Sequence, residues 1–333
     1  MLENIFHKSS FHSSGFEAHY ADDVLSTPVQ SKQGKQVTHE LKNYIVNDAS
    51  VRAGEGAFYD GDDNLIELSM YLLKKENLTP KDEIHHYLEK DRGMAFIAFN
   101  AGWRNYYHAL TQGLFSAWLI KQFFSEEKGV FIFPVLFEGQ QGWRMRYLEL
   151  LDCTSELCTY HKNAVVKMPK AMLISSTYSD AYHPSPLLRN FGEHLIERST
   201  SNHDTYQKIY VSRKDSSNRV MLNEDSVEDF FRELGYQILS LSGLTVDDQI
   251  SIFSAAEKII APHGAGLSNI IFCSKDTKVL ELGFEGYLNP CFVRIAQVIN
   301  LDYHVHYSCG KLTSGRQQTS VWTCNLTNLP DWI

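Results

Sequence analysis

Three short segments carry the residue types and spacings from which chemistry could be built. The first, His263-Gly264-Ala265-Gly266-Leu267, follows an apolar run at 258–261 and precedes a helix expected over 267–272. Small residues at a strand-to-helix turn let backbone N–H groups approach an anion, and the helix dipole adds positive potential there. In an open parallel sheet such a turn lies at the carboxyl edge, where ligands bind. The same residues fit a plain tight turn in which glycine supplies positive φ, and spacing alone does not choose between the two. They also fit part of a dinucleotide fingerprint: Gly264-x-Gly266 is present, but Asn269 stands where a third glycine belongs. Glu281 ends the expected following strand, the place of a ribose-binding carboxylate for a dinucleotide or a nucleotide sugar alike, and equally of a solvated strand end.

The second segment is Tyr210-Val211-Ser212-Arg213-Lys214-Asp215, with Arg219 close behind; residues 208–219 hold four bases and one acid. At a strand end Arg213 could grip a diphosphate through its planar fork of donors; the plainer reading is a solvated basic loop. The third is Asn105-Tyr106-Tyr107-His108 at the start of a long helix, where Arg104, His108 and Gln112 fall four apart as one polar stripe. A histidine there can take a proton from an attacking hydroxyl, or serve only as a hydrogen-bonded structural residue. Cys153, Cys158 and His161 match no common zinc spacing, and His304 and His306 share one face of an expected strand, as ordinary packing does. Asp60-Gly61-Asp62-Asp63 reads as a hairpin turn rather than a metal loop. No Gly-x-Ser-x-Gly elbow and no P-loop is present.

The elements that must position these residues follow from periodicity. Residues 1–50 are polar and weakly periodic and read as an irregular arm with room for a strand or two. From residue 94 apolar runs at 94–99, 130–136 and 171–174 alternate with amphipathic helices at 106–124 and 187–198. A polar break at 199–205 precedes strands expected at 209–212, 236–239, 258–261, 279–282 and 303–307. Between them run helices begun by Asn223 and Thr245, and one over 292–298. Strands alternating with helices imply parallel sheets covered on both faces, here in two units, 1–199 and 200–333.

Composition excludes several classes. Forty acids against thirty-one bases give a net charge of −9, which argues against a general affinity for nucleic acid. The first residues show no basic stretch leading into an apolar run, and the longest apolar run, at 130–137, is too short to span a bilayer. Six irregularly spaced cysteines fit a reduced compartment. A cytoplasmic protein is expected, and the sequons at Asn77 and Asn325 read as chance matches.

Taken together these segments resemble glycosyltransferase family 61, in its bacterial-type members. The matching stretches are Asn105-Tyr106-Tyr107-His108, Ile209-Tyr210-Val211-Ser212-Arg213-Lys214, Asn223-Glu224-Asp225, Phe253-Ser254-Ala255-Ala256 and Pro262-His263-Gly264-Ala265-Gly266-Leu267-Ser268-Asn269. The resemblance implies a GT-B fold, two Rossmann-like lobes flanking a cleft, with the donor held by the C-terminal lobe and the acceptor on the side of the N-terminal one. It implies inverting transfer from a nucleotide diphosphate sugar, a UDP-sugar first, to a glycan or lipid-linked glycan in surface polysaccharide synthesis. Ser212, Arg213, His263, Gly264 and Ala265 would surround the diphosphate, with Gly266 and Glu281 beside them. His108 would be the base facing the acceptor, with Arg104, Asn105 and Gln112 as further acceptor-side candidates. Arginine and helix N–H donors can neutralise the leaving diphosphate, so no metal or other cofactor is expected. Peripheral contact with the inner membrane would follow from a lipid-linked acceptor. One departure stands out: Ala109 follows His108 where the family often has an aromatic residue. An NAD(P)-dependent oxidoreductase and a non-catalytic nucleotide-sugar-binding protein remain the alternatives.

Overall fold

The computed structural model describes residues 2–4, 17–20, 41–66, 84–134, 142–160, 164–175, 184–287, 289–311 and 320–333. His161 and the sequon at Asn77 lie outside the described residues. The chain divides into two compact units, Met1–Ser10 with Thr38–Phe191, and Phe11–Val37 with Gly192–Ile333.

The first unit holds an eight-stranded mixed sheet. Its strands are β1 (Leu2–Asn4), β3 (Lys42–Arg52), β4 (Ala57–Tyr59), β5 (Ile84–Tyr87), β6 (Met94–Ile97), β7 (Gly129–Pro134), β8 (Leu157–Tyr160) and β9 (Ala164–Ile174); β2 (Glu17–Tyr20) belongs to the second unit. The order is β1-β3-β9-β6-β7-β8, with β4 on β3 and β5 on β9. Strands β9, β6, β7 and β8 run parallel to one another. β3 runs antiparallel to β1, β4 and β9, so this sheet is not the wholly parallel one that the sequence pattern implies. The reason is connectivity. β3 joins β4 through a short turn, with no helical crossover to align it with that neighbour. The ladder between β3 and β9 skips Asp48 opposite Pro169, where proline has no N–H to donate and Asp48 adopts φ 49°. Beyond β4, Asp60 Oδ1 accepts from the backbone N–H of Asp62 and Asn64, closing the expected turn.

Helix α1 (Tyr106–His108) passes through a π turn at Ala109–Leu114 into α2 (Phe115–Phe123); α3 (Gly142–Leu150) follows. Tyr107, Leu110, Leu114 and Trp118 are all buried, as their spacing requires. Gly113 sits so tightly that a Cβ there would lie 2.6 Å from the Ala98 carbonyl oxygen and 2.8 Å from the Trp103 ring.

The division between units falls within α4 (Leu188–Arg198). The second unit has a six-stranded, all-parallel sheet built from β2, β10 (Lys208–Val211), β12 (Gln237–Leu239), β13 (Lys258–Pro262), β14 (Lys278–Phe284) and β15 (Asp302–Ser308). Its order is β12-β10-β13-β14-β15-β2, so the edge beyond β15 comes from the polar first fifty residues. β11 (Val220–Met221), β16 (Gly310–Lys311) and β17 (Val321–Trp322) form a small separate sheet. On one face of the large sheet Tyr210, Ile260, Leu280 and Leu282 pack with Val227 and Phe231 of α5 (Glu224–Glu233) and with Trp322 and Cys324 of the tail. His304 and His306 are buried on that face, bonded to Trp332 Nε1 and to the Asn325 carbonyl, as strand packing predicts. The other face is served by α6 (Val246–Ala255), α7 (Cys291–Ile299) and a 3₁₀ helix at Ala265–Phe272.

Local signals explain the boundaries. Thr245 and Asp248 form a capping box at the start of α6, and Gly235, at φ 82°, ends the turn after α5. Asn223 departs from its expected cap role: its amide donates to the Cys324 carbonyl at 2.8 Å and accepts from the Cys324 N–H at 2.9 Å. A primary amide presents one donor and one acceptor, like a peptide group, so it can pair with a passing strand instead. Among the described residues no helix is long and apolar enough to cross a membrane.

A Cβ at Gly192 in α4 would lie 2.2 Å from the Ile271 carbonyl oxygen, a clash with backbone rather than with a movable side chain. Gly192→Ala is therefore expected to destabilise the second unit by about 1–3 kcal/mol, read as a lower urea midpoint at unchanged slope.

Candidate active site

In the second unit, β10 is followed by β12 on one side and then by β13 on the other, so the strand order reverses between β10 and β13. At such a switch point the loops leaving the two strands diverge and open a crevice at the carboxyl edge. Ser212-Arg213 leaves β10 there and His263-Gly264 leaves β13. The Arg213 guanidinium bridges the two loops. Its Nη1 donates to the His263 carbonyl at 2.6 Å, and its Nη2 donates to Ser216 Oγ at 2.9 Å and to the Asn218 carbonyl at 3.0 Å.

Glycine at 264 follows from this arginine. A Cβ on Gly264 would fall 1.7 Å from Arg213 Nη1, so the guanidinium occupies the space a side chain would take. Gly264 itself is extended, at φ −176° and ψ 163°, so the turn does not need glycine for positive φ. At Gly266 a Cβ would meet Leu241 Cδ1 at 2.8 Å. Ala265 and Gly266 open the 3₁₀ helix, whose first N–H groups have no partner within the helix.

Two arginines and the Glu224 and Glu281 carboxylates set the electrostatics of the crevice. Burial and the neighbouring Arg219 push the Arg213 guanidinium down to about 10, still charged at neutral pH. Arg219 adopts φ 53°, stacks its guanidinium 4.8 Å from the Tyr287 ring centroid, and its carbonyl accepts from Trp322 Nε1 at 3.1 Å. The Nε of Arg213 and that of Arg219 are buried without a hydrogen-bond partner among the described residues. Two guanidinium groups drawn together with donors uncommitted make a place for an anion. Glu224, at the start of α5, fixes the loop: its Oε1 accepts from the Arg213 N–H at 2.7 Å and from Ser212 Oγ at 3.4 Å. Burial raises the Glu224 carboxyl, partly offset by that N–H.

Beside the arginine, His263 Nδ1 meets Glu281 Oε1, and Glu281 Oε2 accepts from the Tyr303 hydroxyl at 2.7 Å. Burial, then Glu281, holds the Tyr303 hydroxyl well above its ordinary value. Tyr287 and Phe292 flank the His263 ring at centroid distances of 5.1 and 5.0 Å. Glu281 is thus not at a strand end: β14 runs on to Phe284, and Glu281 lies buried in its middle with both oxygens engaged. Asn269, in the place of the third glycine, is buried and donates to Gln249 Oε1 at 3.0 Å.

The first unit holds the other candidates. Asn105 caps α1, its Oδ1 accepting from the Tyr107 N–H at 2.9 Å. Arg104 precedes that cap, outside the helix and exposed, so the expected three-residue stripe reduces to His108 and Gln112. The Arg104 carbonyl accepts from Nη2 of the buried Arg144 at 2.8 Å. His108 Nδ1 lies 2.8 Å from Gln112 Oε1, and burial lowers the imidazole below its ordinary value, with Gln112 opposing. Ala109 is fully buried in the π turn, a feature common at functional sites. Among the described residues no group of three or more His, Cys, Asp or Glu side chains is placed to hold a metal. Cys153 is buried, its thiol pushed up to about 12 by burial, and Cys158 accepts from Arg92.

Sequence reasoning passed over Glu224, Tyr303 and Asn100. Glu224 was legible only as part of the matching stretch Asn223-Glu224-Asp225, with no role attached. Tyr303 is one pair along from Val305, the register partner of Glu281, a neighbour visible only once the strands are aligned.

Gly264→Ala is expected to expel the Arg213 guanidinium and cost about 1–3 kcal/mol, whereas in an Arg213→Ala background the same change should cost little. A double-mutant cycle by urea unfolding measures that coupling; additive effects would show that the arginine does not fill the glycine's space.

The family model described as Glycosyltransferase 61 matches residues 106–280, more than half of the chain and spanning both His108 and the switch-point loops. The chain is also 31% identical over 84 residues to the Beta-1,2-xylosyltransferase RCN11 of Oryza sativa subsp. japonica, a stretch covering 24% of this chain and 16% of that protein. With the arginine and the glycine turn of the matched segments meeting at the switch point, the chain belongs to the glycosyltransferase 61 family.

Proposed function

We propose that the protein is an inverting glycosyltransferase of GT-B type, moving a sugar from a nucleotide diphosphate sugar, a UDP-sugar first, to a glycan or lipid-linked glycan acceptor. The observation that carries this reading is the Arg213 guanidinium seated against Gly264 at the switch point of a parallel sheet, beside Arg219. The donor diphosphate would lie against Ser212, Arg213, His263, Gly264, Ala265 and Gly266. The arginines and the first N–H groups of the 3₁₀ helix would take up charge as the nucleotide leaves, without a metal. Glu281 would act from behind, orienting His263 rather than binding ribose. The first unit would carry the acceptor side, with His108 as general base and Arg104, Asn105 and Gln112 around it. The acceptor hydroxyl would lose its proton to His108 while its oxygen attacks the anomeric carbon opposite the departing diphosphate.

A pentosyl donor belongs among the candidates because the rice relative is named a xylosyltransferase. Action in the cytoplasm on surface polysaccharide precursors, with peripheral membrane contact for a lipid-linked acceptor, completes the reading. Nucleic acid is not a fitting partner for a chain of net charge −9. The dinucleotide alternative is disfavoured because Glu281 has both oxygens engaged and Asn269 replaces the third glycine. A non-catalytic binding protein would keep the donor crevice and dispense with His108.

Thermal-shift measurements should show stabilisation by UDP or a UDP-sugar, by about 2.7 kcal/mol at a hundredfold excess over Kd; stabilisation by NADH alone would sink the transferase reading. Arg213→Ala should weaken UDP binding at least tenfold by calorimetry, given about 1.5–3 kcal/mol for a hydrogen bond to a charged group. His108→Ala should lower kcat by about 10²–10⁴ with the donor KM little changed. Because burial lowers the His108 imidazole, its basic form persists to lower pH. The acid limb of the kcat profile should therefore lie below the 6.5 of an ordinary imidazole.

A further inference from the structure

The backbone N–H of Gly102 donates to Asn100 Oδ1 at 2.8 Å. A backbone N–H can only donate, so it fixes which end of the Asn100 amide is oxygen and which is nitrogen. The nitrogen end then faces Gln112, donating from Nδ2 to Oε1 at 2.9 Å. That bond orients the second amide in turn, and the same Oε1 stands 2.8 Å from His108 Nδ1. An amide oxygen can only accept.

We infer that Asn100, acting through Gln112, sets the tautomer of His108, placing the proton on Nδ1 and the lone pair on Nε2. Asn100 and Gln112 are each 3% exposed, so water cannot readily substitute for either bond. Turning Gln112 over would set its NH₂ against the NH₂ of Asn100, two donors in contact inside the fold. The edge-on Tyr107 ring, 5.2 Å from the imidazole centroid, helps to hold the ring plane. Asn100 and Gln112 are positioning residues, since both act on the reacting atoms only through His108. The catalytic consequence rests on the reading of His108 as the base: with Nδ1 protonated, Nε2 is the atom that takes the acceptor's proton, and Nδ1 keeps its own throughout. A neutral amide partner suits this task, because unlike a carboxylate it does not favour the charged ring before the proton arrives.

Asn100→Asp tests the inference with almost no change of volume. Well above neutral pH its carboxylate would still accept from Gly102 but could not donate to Gln112. The glutamine should then turn its NH₂ towards both neighbours and force His108 into the Nε2–H tautomer. The measurement is the imidazole ¹⁵N chemical shifts of His108 in the full, ligand-free chain labelled at histidine and assigned with His108→Ala. Wild type should show a protonated Nδ1 and an unprotonated Nε2, and Asn100→Asp the reverse. Gln112→Glu, which accepts from both neighbours, should retain the wild-type pattern, and Gln112→Met should give a mixture of the two. A protonated Nε2 in the wild type, or an unchanged pattern in both Asn100→Asp and Gln112→Met, overturns the inference. Gln112→Met serves alone if Asn100→Asp does not fold. Full turnover in His108→Ala would instead remove the base reading and leave the tautomer result standing.

Discussion

The crevice of the second unit depends on one steric exchange: a guanidinium sits where the side chain of residue 264 would be. From that contact the rest of the crevice follows. The loop after β10 is drawn onto the loop after β13, Glu224 must hold the first loop from below, and a second arginine approaches closely enough to push the first downward. Bringing two cations together in a partly dry setting is unfavourable by itself. The structure tolerates it because the surrounding bonds, to His263, Ser216 and Asn218, leave Arg213 no other place to go. An anion entering the crevice relieves that repulsion, so part of its affinity would come from strain already present.

Much of the second unit was legible in the sequence because its signals are local and agree with one another. Val227, Phe230, Phe231 and Leu234 show a helical period, Thr245 marks a helix start, and the strands are short apolar runs between turns. The first unit was less legible. Only 171–174 was expected as strand where β9 runs over eleven residues, because Pro169 interrupts a run that the fold accommodates by skipping one ladder position. β2 lies in a polar arm expected to hold no more than a strand or two, and its position could not be read because its strand character comes from pairing beside β15 rather than from its own composition. Ser212, Arg213, His263 and Gly264 were singled out from the sequence and the fold brings them together, but the reason for the glycine was not legible. It lies in a side chain fifty residues away, and no local rule encodes it.

The two histidines are held by different means. His263 leans on a carboxylate that is itself tied to a buried tyrosine hydroxyl. His108 leans on an uncharged amide oriented by a second amide and a backbone N–H. The choice of partner suits the task proposed for each ring, contact with an anion for one and receipt of a proton for the other.

The small sheet of β11, β16 and β17 has a consequence for how the molecule is made. Trp322 bonds the Arg219 carbonyl and Cys324 pairs with Asn223, while β2, from residues 17–20, closes the far edge of the same unit. The second unit thus draws on stretches separated by some three hundred residues, and the crevice itself joins residues 213–223 to 322–324, about a hundred positions apart. Loop-closure entropy makes such distant pairings slow to form. A ribosome-bound chain can complete the helices around β10 and β13 early, yet it cannot lock the second arginine until residues 321–324 have emerged. The geometry around Arg219 is therefore set only once the segment at 321–324, a hundred residues downstream of it, has been made.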